Sequence, residues 1–194
     1  MNNVPPRLHA LIQDLPHGLR DHLYRVREIA LDLASLHGVD ASKVELAALT
    51  HDLLRALEDG QLLAAARTQG LAVHPVEERI PVLLHGPLAA LKLERDCGVT
   101  DAEVLEAVRW HSTCCAGMAR VGLVVFLADK LDPHKLVQAP HLKRVAGLAQ
   151  TSLERATLEY LTEELAALLK RGALLHPASV EARNDLLIRL GSRT

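Results

Sequence analysis

A histidine and an aspartate, His51 and Asp52, stand side by side in the stretch ELAALTHDLLRAL, where the neighbouring apolar residues favour burial. Burying a carboxylate beside an imidazole is unfavourable unless a partner compensates it, and a divalent metal is the strongest compensation available. The alternative is a pair inside a helix that a neighbouring arginine satisfies. Two more candidates have similarly apolar neighbours: His22 in LRDHLYRVREIA and Asp129 in LVVFLADKLD. These four side chains could together hold one metal ion.

Two imidazoles and two carboxylates form a mixed nitrogen and oxygen ligand set. Such a set suits iron, manganese or another borderline divalent ion, and it suits a structural thiolate zinc site poorly. The two negative charges would roughly neutralise the ion, and coordination positions would stay open for water and substrate. A metal held in this way can lower the pKa of its bound water and polarise a phosphoryl oxygen.

A second constellation consists of Cys114 and Cys115, which closely follow His111. A thiol and an imidazole can form a nucleophilic pair, but no activating base or oxyanion-stabilising device is visible near them. With Cys97 the chain has three cysteines, an odd number, and adjacent cysteines are poorly placed to pair with each other. We therefore expect neither a nucleophilic cysteine nor a disulfide framework. The cysteines fit a protein in a reducing compartment.

Helices must position these residues. Leucine and alanine dominate the sequence, which has one Phe, one Trp and two Tyr. β-branched residues rarely alternate with polar ones, so the pattern predicts an all-α protein. His22 falls on an amphipathic helix over about 19–36, and His51 with Asp52 on a helix that Asp40 caps. Asp129 falls on a buried helix that ends before Pro133.

Further helices are separated by short Gly, Pro and Asp segments. Thr100 with Glu103, and Thr151 with Glu154, have the spacing of capping boxes. The stretch 69–81 is loop-like. Leucines and alanines over 149–169 are expected to form core or a dimer surface rather than a cofactor groove. The other predicted helices cover about 7–15, 60–68, 85–97, 101–111, 151–172 and 179–190.

Length and charge limit the class of protein. A chain of 194 residues that is about half hydrophobic suits one domain over 1–194, with a metal-site core at about 18–135 and helices over 151–190 packing on it. A formal net charge of -2 gives no basic field for nucleic acid or an anionic membrane. No leader pattern begins the sequence, and no apolar run approaches the roughly 18 residues of a membrane span. We therefore expect a cytoplasmic protein with no nucleic-acid or membrane partner.

The order of His22, the His51-Asp52 pair and Asp129 resembles that of the HD-domain superfamily of metal-dependent phosphohydrolases. Five segments in collinear order resemble the YqeK family, the symmetrical diadenosine-tetraphosphate hydrolases of bacteria, more closely. The resemblance covers nearly the whole chain and implies a single-domain HD helical bundle that forms a homodimer. The matching segments are LAALTHDLLR, LLHGPLAA, AVRWHST, FLADKLDPHK and LLHPASVEARNDLL.

This resemblance implies a metal site and a reaction. A divalent transition metal, iron first and manganese, cobalt or magnesium otherwise, would be held by His22, His51, Asp52 and Asp129. The implied reaction is attack of a metal-bound water at the middle of a dinucleoside tetraphosphate, which releases two ADP. The residues with implied catalytic roles are Asp52, His85 and His111, and those with implied substrate-binding roles are Arg55, His85, His111, Lys135 and His176.

Four of the residues with roles outside the metal site have an alternative interpretation. His85 could have the purely structural role of starting a helix. His111 could lie in the last turn of a helix and interact with the helix dipole. Arg55 and Lys135 could be ordinary solvated charges.

The sequence also departs from the family pattern. Where the family has Lys, Tyr and Arg, this chain has Arg55, Lys130 and Lys135. The Gly-Arg that follows the histidine of the third segment in the family is absent, and STCCAGM stands there instead. The departures leave two other functions open. One is an HD-type nucleotidase or nucleoside-triphosphate hydrolase with a smaller substrate, and the other is a nucleotide-binding regulator without turnover.

Overall fold

The computed structural model describes residues 6–138 and 141–191, and every regular element in these two ranges is helical. This confirms the predicted all-α fold. A short 3-10 helix covers Pro81–Leu84. The α-helices are α1 (Pro6–Gln13), α2 (His17–His37), α3 (Ala41–Thr50), α4 (Asp59–Thr68), α5 (Pro75–Arg79), α6 (His85–Cys97), α7 (Ala102–Trp110), α8 (Arg120–Lys130), α9 (Pro133–Gln138), α10 (Leu142–Ala149), α11 (Leu153–Lys170) and α12 (Pro177–Arg189).

The core is built around α8. Residues 121–129 of this helix are all buried, as its continuous apolar sequence predicts for a helix with neighbours on every side. Helices α2, α3, α7 and α11 pack around it, and α12 packs on α11. In α2 the buried side chains include Leu23, Val26, Ala30 and Leu33, which form the predicted apolar stripe. No described helix is both long and apolar enough to cross a membrane.

Local capping follows the sequence at some helix ends and differs by one residue at others. Asp40 caps α3 by accepting from the backbone N–H groups of Ser42 and Lys43, as predicted. The predicted caps at Thr100 and Thr151 are wrong, because Asp101 and Ser152 hold the N-cap positions of α7 and α11. Both are strong capping residues placed directly before the first helical residue, so their oxygens reach the unpaired N–H groups.

Two predictions about helix extent are wrong, and two helices were not predicted. His51 and Asp52 do not lie inside a helix, since α3 ends at Thr50 and residues 51–56 form turns with bonds such as Arg55 N–H to Asp52 O (3.0 Å). These i to i+3 bonds tighten the chain and end the helix despite the apolar sequence. The stretch 69–81 contains α5, which Pro75 starts with a favourable φ. Helices α9 and α10 were not predicted.

Candidate active site

His51 is fixed at the bottom of a buried cluster by the turn that follows α3. Its side chain is fully buried, and its Nδ1 hydrogen-bonds the carbonyl of Ala48 at 2.8 Å. Nδ1 must donate to this carbonyl, so Nε2 presents its lone pair to the interior. Nε2 has no hydrogen-bond partner among the described residues. Burial lowers the pKa of His51 to about 4, which keeps the ring neutral.

His22 enters the same cluster from α2. Its Nδ1 hydrogen-bonds Asp132 Oδ2 at 2.6 Å, and Arg25 donates to both oxygens of that carboxylate at 2.9–3.2 Å. This leaves His22 Nε2 directed at Asp129 Oδ1, 3.1 Å away. Burial acts to lower the pKa of His22, but the hydrogen bonds with Asp129 and Asp132 outweigh it and raise the pKa. Such carboxylate support orients an imidazole as a metal ligand.

Asp129 lies at the buried end of α8 between several cations. Its Oδ1 faces His22 Nε2 and accepts from Lys135 Nζ at 2.6 Å, while Oδ2 accepts from Lys130 Nζ at 2.7 Å. Burial favours the neutral acid, yet the charge of Lys130 and the His22 hydrogen bond hold the pKa of Asp129 well below its usual range. The carboxylate is therefore ionised at neutral pH.

Four ligand-type side chains converge in this cluster. His22 Nε2 and His51 Nε2 lie 3.8 and 3.7 Å from Asp52 Oδ2, and His51 Nε2 lies 3.8 Å from Asp129 Oδ1. Adjacent ligands bound at about 2.1 Å to one divalent ion lie roughly 3 Å apart, so small shifts would complete a coordination shell. The Nε2 atom of His51 is buried and has no hydrogen-bond partner among the described residues, so its lone pair is available to coordinate a metal. The residues present therefore fit a divalent metal.

His85 and His111 form a second half of the cluster on the other side of Asp52. Their Nε2 atoms lie 2.8 Å apart, and both approach Asp52 Oδ1, at 2.9 and 3.2 Å. Each Nδ1 faces a backbone carbonyl, of Val82 and Val108 respectively, and so donates. A hydrogen bond between the two Nε2 atoms would need a proton on one of them, whereas burial lowers the pKa of His111.

Asp52 lies between the two halves. One oxygen faces the histidine pair and the other faces His22 and His51. Burial acts to raise the pKa of Asp52, but the neighbouring histidines hold it well below the usual value. The atoms of His51, Asp52 and His111 also lie within 4.8 Å of one another, so His111 is itself close enough to be a ligand.

Close packing of α6 on α7 brings the histidine pair together. Gly86 follows His85, and a Cβ at this position would lie 2.8 Å from the carbonyl oxygen of Arg109 and 3.2 Å from the His111 ring. Glycine therefore allows the start of α6 to touch the end of α7. His85 begins α6 and His111 follows the last residue of α7, so both lie at helix ends, as the alternative interpretations of these residues proposed. Both rings are nevertheless buried in the cluster.

The predicted substrate residues lie at different distances from this cluster. Lys135 contacts it directly through Asp129. Arg55 is exposed in the turn after Asp52, and its side chain makes no ion pair with another described residue. His176 caps α12, with Nδ1 accepting from Ala178 N–H and Nε2 3.5 Å from Glu77, and contacts none of the four ligand candidates.

Sequence reasoning missed three residues that hold the cluster in place. Asp132 and Arg25 orient His22, and Lys130 joins Asp129 to the backbone carbonyl of His111, which accepts from Nζ at 3.1 Å. A signal existed for Asp132, which is the second acid in FLADKLD, three residues after Asp129. By contrast, burial raises the pKa of Cys114 and of Cys115 to about 12, so both stay protonated thiols, in agreement with the sequence analysis.

Comparison of the sequence with known proteins shows which family has these residues. The HD domain profile matches residues 19–134, which contain His22, His51, Asp52 and Asp129. The chain belongs to the HD-domain family. A symmetrical bis(5'-nucleosyl)-tetraphosphatase of Halalkalibacterium halodurans is 32% identical over 89% of this chain and 92% of its own length. The Bacillus subtilis protein of the same description is 28% identical over 86% and 88%. These matches confirm the resemblance to the YqeK-type family.

The fold of this HD-domain protein is similar to that of a solved structure. A Clostridium acetobutylicum protein described as a predicted HD superfamily hydrolase involved in NAD metabolism superposes with a TM-score of 0.87 at 24% identity. The match covers 94% of this chain and 95% of the other. It supports the predicted HD helical bundle, including the helices that follow residue 134.

Proposed function

We propose that this HD-domain protein is a hydrolase that cleaves diadenosine tetraphosphate symmetrically into two ADP, using a bound divalent metal. The observation that carries the proposal is the arrangement of Asp52 between a ligand group, His22 and His51 with Asp129, and a close histidine pair, His85 and His111. The relatives described as symmetrical bis(5'-nucleosyl)-tetraphosphatases match almost the full chain and support the choice of substrate.

The metal would be held by His22, His51, Asp52 and Asp129. When bound, a divalent ion supplies an activated water and polarises a phosphoryl oxygen. We expect iron in the cell, with manganese, cobalt or magnesium able to replace it, because the two-nitrogen, two-oxygen set matches a borderline ion. Asp132 and Arg25 act here by holding the His22 ring in its orientation.

The other residues handle the phosphate chain. The His85–His111 pair lies next to Asp52, where an imidazole can carry a proton to the bridging oxygen as its bond to phosphorus breaks. Lys135 lies at the edge of the cluster with its side chain 43% exposed, so its ammonium can move from Asp129 to a phosphate oxygen. Arg55, exposed on the neighbouring turn, can bind an outer phosphate with its fork of N–H donors.

The symmetry of the products follows from the position of the attacked phosphorus. A tetraphosphate between two nucleosides is symmetric about its central bridging oxygen. Water attacks a phosphorus bonded to that oxygen, the bond to the central oxygen breaks, and both fragments leave as nucleoside diphosphates. Expulsion of a diphosphate depends on charge stabilisation, which the two cationic side chains, Arg55 and Lys135, provide, together with proton transfer from the histidine pair.

Chromatographic analysis of early products tests the proposal. Diadenosine tetraphosphate incubated with the protein and iron, manganese, cobalt or magnesium should give ADP alone, and Asp129→Ala should abolish the reaction. Asp96→Ala is a matched control, because Asp96 is exposed on α6 and pairs with Lys92 outside the cluster. Equal AMP and ATP would contradict the symmetric register. Rapid hydrolysis of a mononucleotide alone would favour the nucleotidase, and binding without turnover would favour the regulator.

The remaining expectations concern the form of the protein in the cell. We expect one domain over 1–194, since α11 packs on α8 of the ligand-bearing core. We also expect a cytoplasmic homodimer. Light scattering coupled to size exclusion should give a mass of about twice the 21.2 kDa of the chain.

A further inference from the structure

A cavity of about 220 Å³ opens beside the candidate active site, between α5, the turn after α7, α11 and the start of α12. Its walls are mainly apolar. Leu161, Leu165 and Leu168 of α11 form one side, and Val76 and Ile80 form another. Part of the predicted Leu/Ala stripe therefore lines a cavity instead of only filling the core. Apolar clefts with a few polar groups are the usual form of small-molecule sites.

This cavity, the α11 cavity, adjoins the cluster through two of its lining residues. Ser112 lines it, and the Ser112 hydroxyl oxygen is 3.1 Å from His111 Nε2. Tyr160 also lines it, and the same ring lies 5.9 Å from Lys130 Nζ, which donates to Asp129. The α11 cavity is therefore the apolar space next to the cluster in which the nucleoside of a ligand with its phosphates at the cluster can lie.

Most polar groups of the cavity already have partners. The Ser179 hydroxyl donates to the Thr113 carbonyl at 2.8 Å, and His176 accepts from Ala178 N–H. Glu164 and the Tyr160 hydroxyl differ, because neither makes a hydrogen bond or an ion pair with another residue in the described ranges. They are one helical turn apart on α11 and so share a face.

The two groups have complementary hydrogen-bonding roles. The ionised Glu164 carboxylate only accepts, whereas the Tyr160 phenol can donate. Burial raises the pKa of Tyr160, so the phenol keeps its proton. A ligand edge that carries an amine next to a ring acceptor would satisfy both groups.

We infer that the α11 cavity binds one adenine base of the substrate, with Glu164 accepting from the N6 amine and Tyr160 donating to the adjacent ring nitrogen. Adenine presents such a donor beside an acceptor. The apolar faces of the base would pack against Leu161, Leu165 and Leu168. The identity of the ligand rests on the proposed function, whereas the location of the site rests on the cavity.

A matched pair of leucine substitutions tests the location. Leu168 lines the cavity, while its neighbour Leu169 points to solvent and is 65% exposed. Calorimetry on the full, metal-loaded chain should show ADP binding at least about tenfold weaker for Leu168→Trp and within about twofold for Leu169→Trp, because the indole fills the cavity only in the first. Inorganic pyrophosphate, which has no base, should bind equally to both variants and to the wild type.

A second pair tests the hydrogen bond without changing shape. Glu164→Gln should weaken ADP binding and raise KM for the dinucleotide by roughly five- to tenfold with kcat unchanged, because a charged acceptor becomes a neutral one. Glu163→Gln, one residue away and exposed, should leave both values unchanged. This pair also covers the case in which tryptophan disturbs folding.

Three outcomes would overturn the inference: wild-type ADP affinity in both Leu168→Trp and Glu164→Gln, an equal loss of pyrophosphate and ADP affinity in Leu168→Trp, or equal effects of Glu164→Gln and Glu163→Gln. Failure of the proposed function is distinct from these. A wild-type protein that binds ADP in a Leu168-dependent way but leaves diadenosine tetraphosphate intact would refute the hydrolase proposal and retain the cavity assignment.

Discussion

Replacing Lys130 by methionine should destabilise the metal-free protein far more than the metal-loaded protein. Lys130 Nζ donates to Asp129 Oδ2 at 2.7 Å and to the His111 carbonyl at 3.1 Å, and it lies 5.0 Å from the centre of the Phe126 ring. The ammonium compensates a buried carboxylate. Methionine keeps most of the apolar stem but leaves that charge with fewer partners.

The size of the effect follows from these contacts. Two unit charges 2.7 Å apart attract by about 6 kcal/mol at an effective dielectric constant of 20, and desolvation of both groups offsets much of this. Removing one partner of a buried pair costs about 3–5 kcal/mol. Asp129 keeps Lys135 and His22 as partners, so we expect a loss of about 2–4 kcal/mol without metal. A bound divalent ion compensates Asp129 itself and should reduce the loss to under about 2 kcal/mol.

Urea unfolding followed by circular dichroism measures both values, once with a chelator and once with excess manganese. Lys170→Met is the control, because Lys170 is exposed in the last turn of α11, and its free energy of unfolding should change by less than about 0.5 kcal/mol. Metal should consequently stabilise Lys130→Met more than the wild type. Equal losses with and without metal, or a metal-free loss under about 1 kcal/mol, would refute the reasoning.

Three further predictions concern single side chains of the cluster. Asp52→Ala should lose the bound metal in elemental analysis while its circular dichroism stays helical, because Asp52 faces both candidate histidine ligands. His111→Ala should keep its metal but turn over substrate roughly 10²- to 10⁴-fold more slowly in a product assay, since it would lack one imidazole of the proposed proton-transfer pair. Asp132→Asn should be about 2 kcal/mol less stable than the wild type at pH 7, because Arg25 and His22 offset the burial of Asp132 and lower its pKa to about 2. This folded-state pKa is below the unfolded value, so the stabilisation is complete above about pH 4 and is lost as the pH falls towards 2; unfolding titrations at several pH values measure it.

Each of these experiments has an outcome that contradicts it. Wild-type metal affinity in Asp52→Ala would remove this residue from the ligand set. Loss of metal from His111→Ala would make His111 a ligand and not a proton carrier. A stability difference for Asp132→Asn that stays constant from pH 7 to pH 3 would mean that the ion pair does not titrate as expected.

Much of this protein is determined by local sequence. The scarcity of alternating apolar and polar residues and the leucine- and alanine-rich helical periods predict an all-α fold. The length and helical context of the apolar run before Asp129 predict a buried helix. The placement of His22, His51, Asp52 and Asp129 in apolar stretches predicts that their burial needs a common compensation. These signals depend on residue types and short spacings, which are visible in one dimension.

Tertiary structure decided the contacts that orient those residues. The Asp132–His22 bond spans 110 positions of sequence, the Arg25–Asp132 bond spans 107, and the His85–His111 bond spans 26. Such pairs form only when helices pack, and a charged side chain such as Lys130 looks like any solvated lysine until its neighbours are known. The turn after Thr50 also could not be predicted from the sequence, because the apolar pattern favours a helix that continues past Thr50. In the structure His51 and Asp52 instead face residues of α2 and α8. Periodicity reports which face of a helix is buried, whereas the partner that each buried polar atom meets is set by helices distant in sequence.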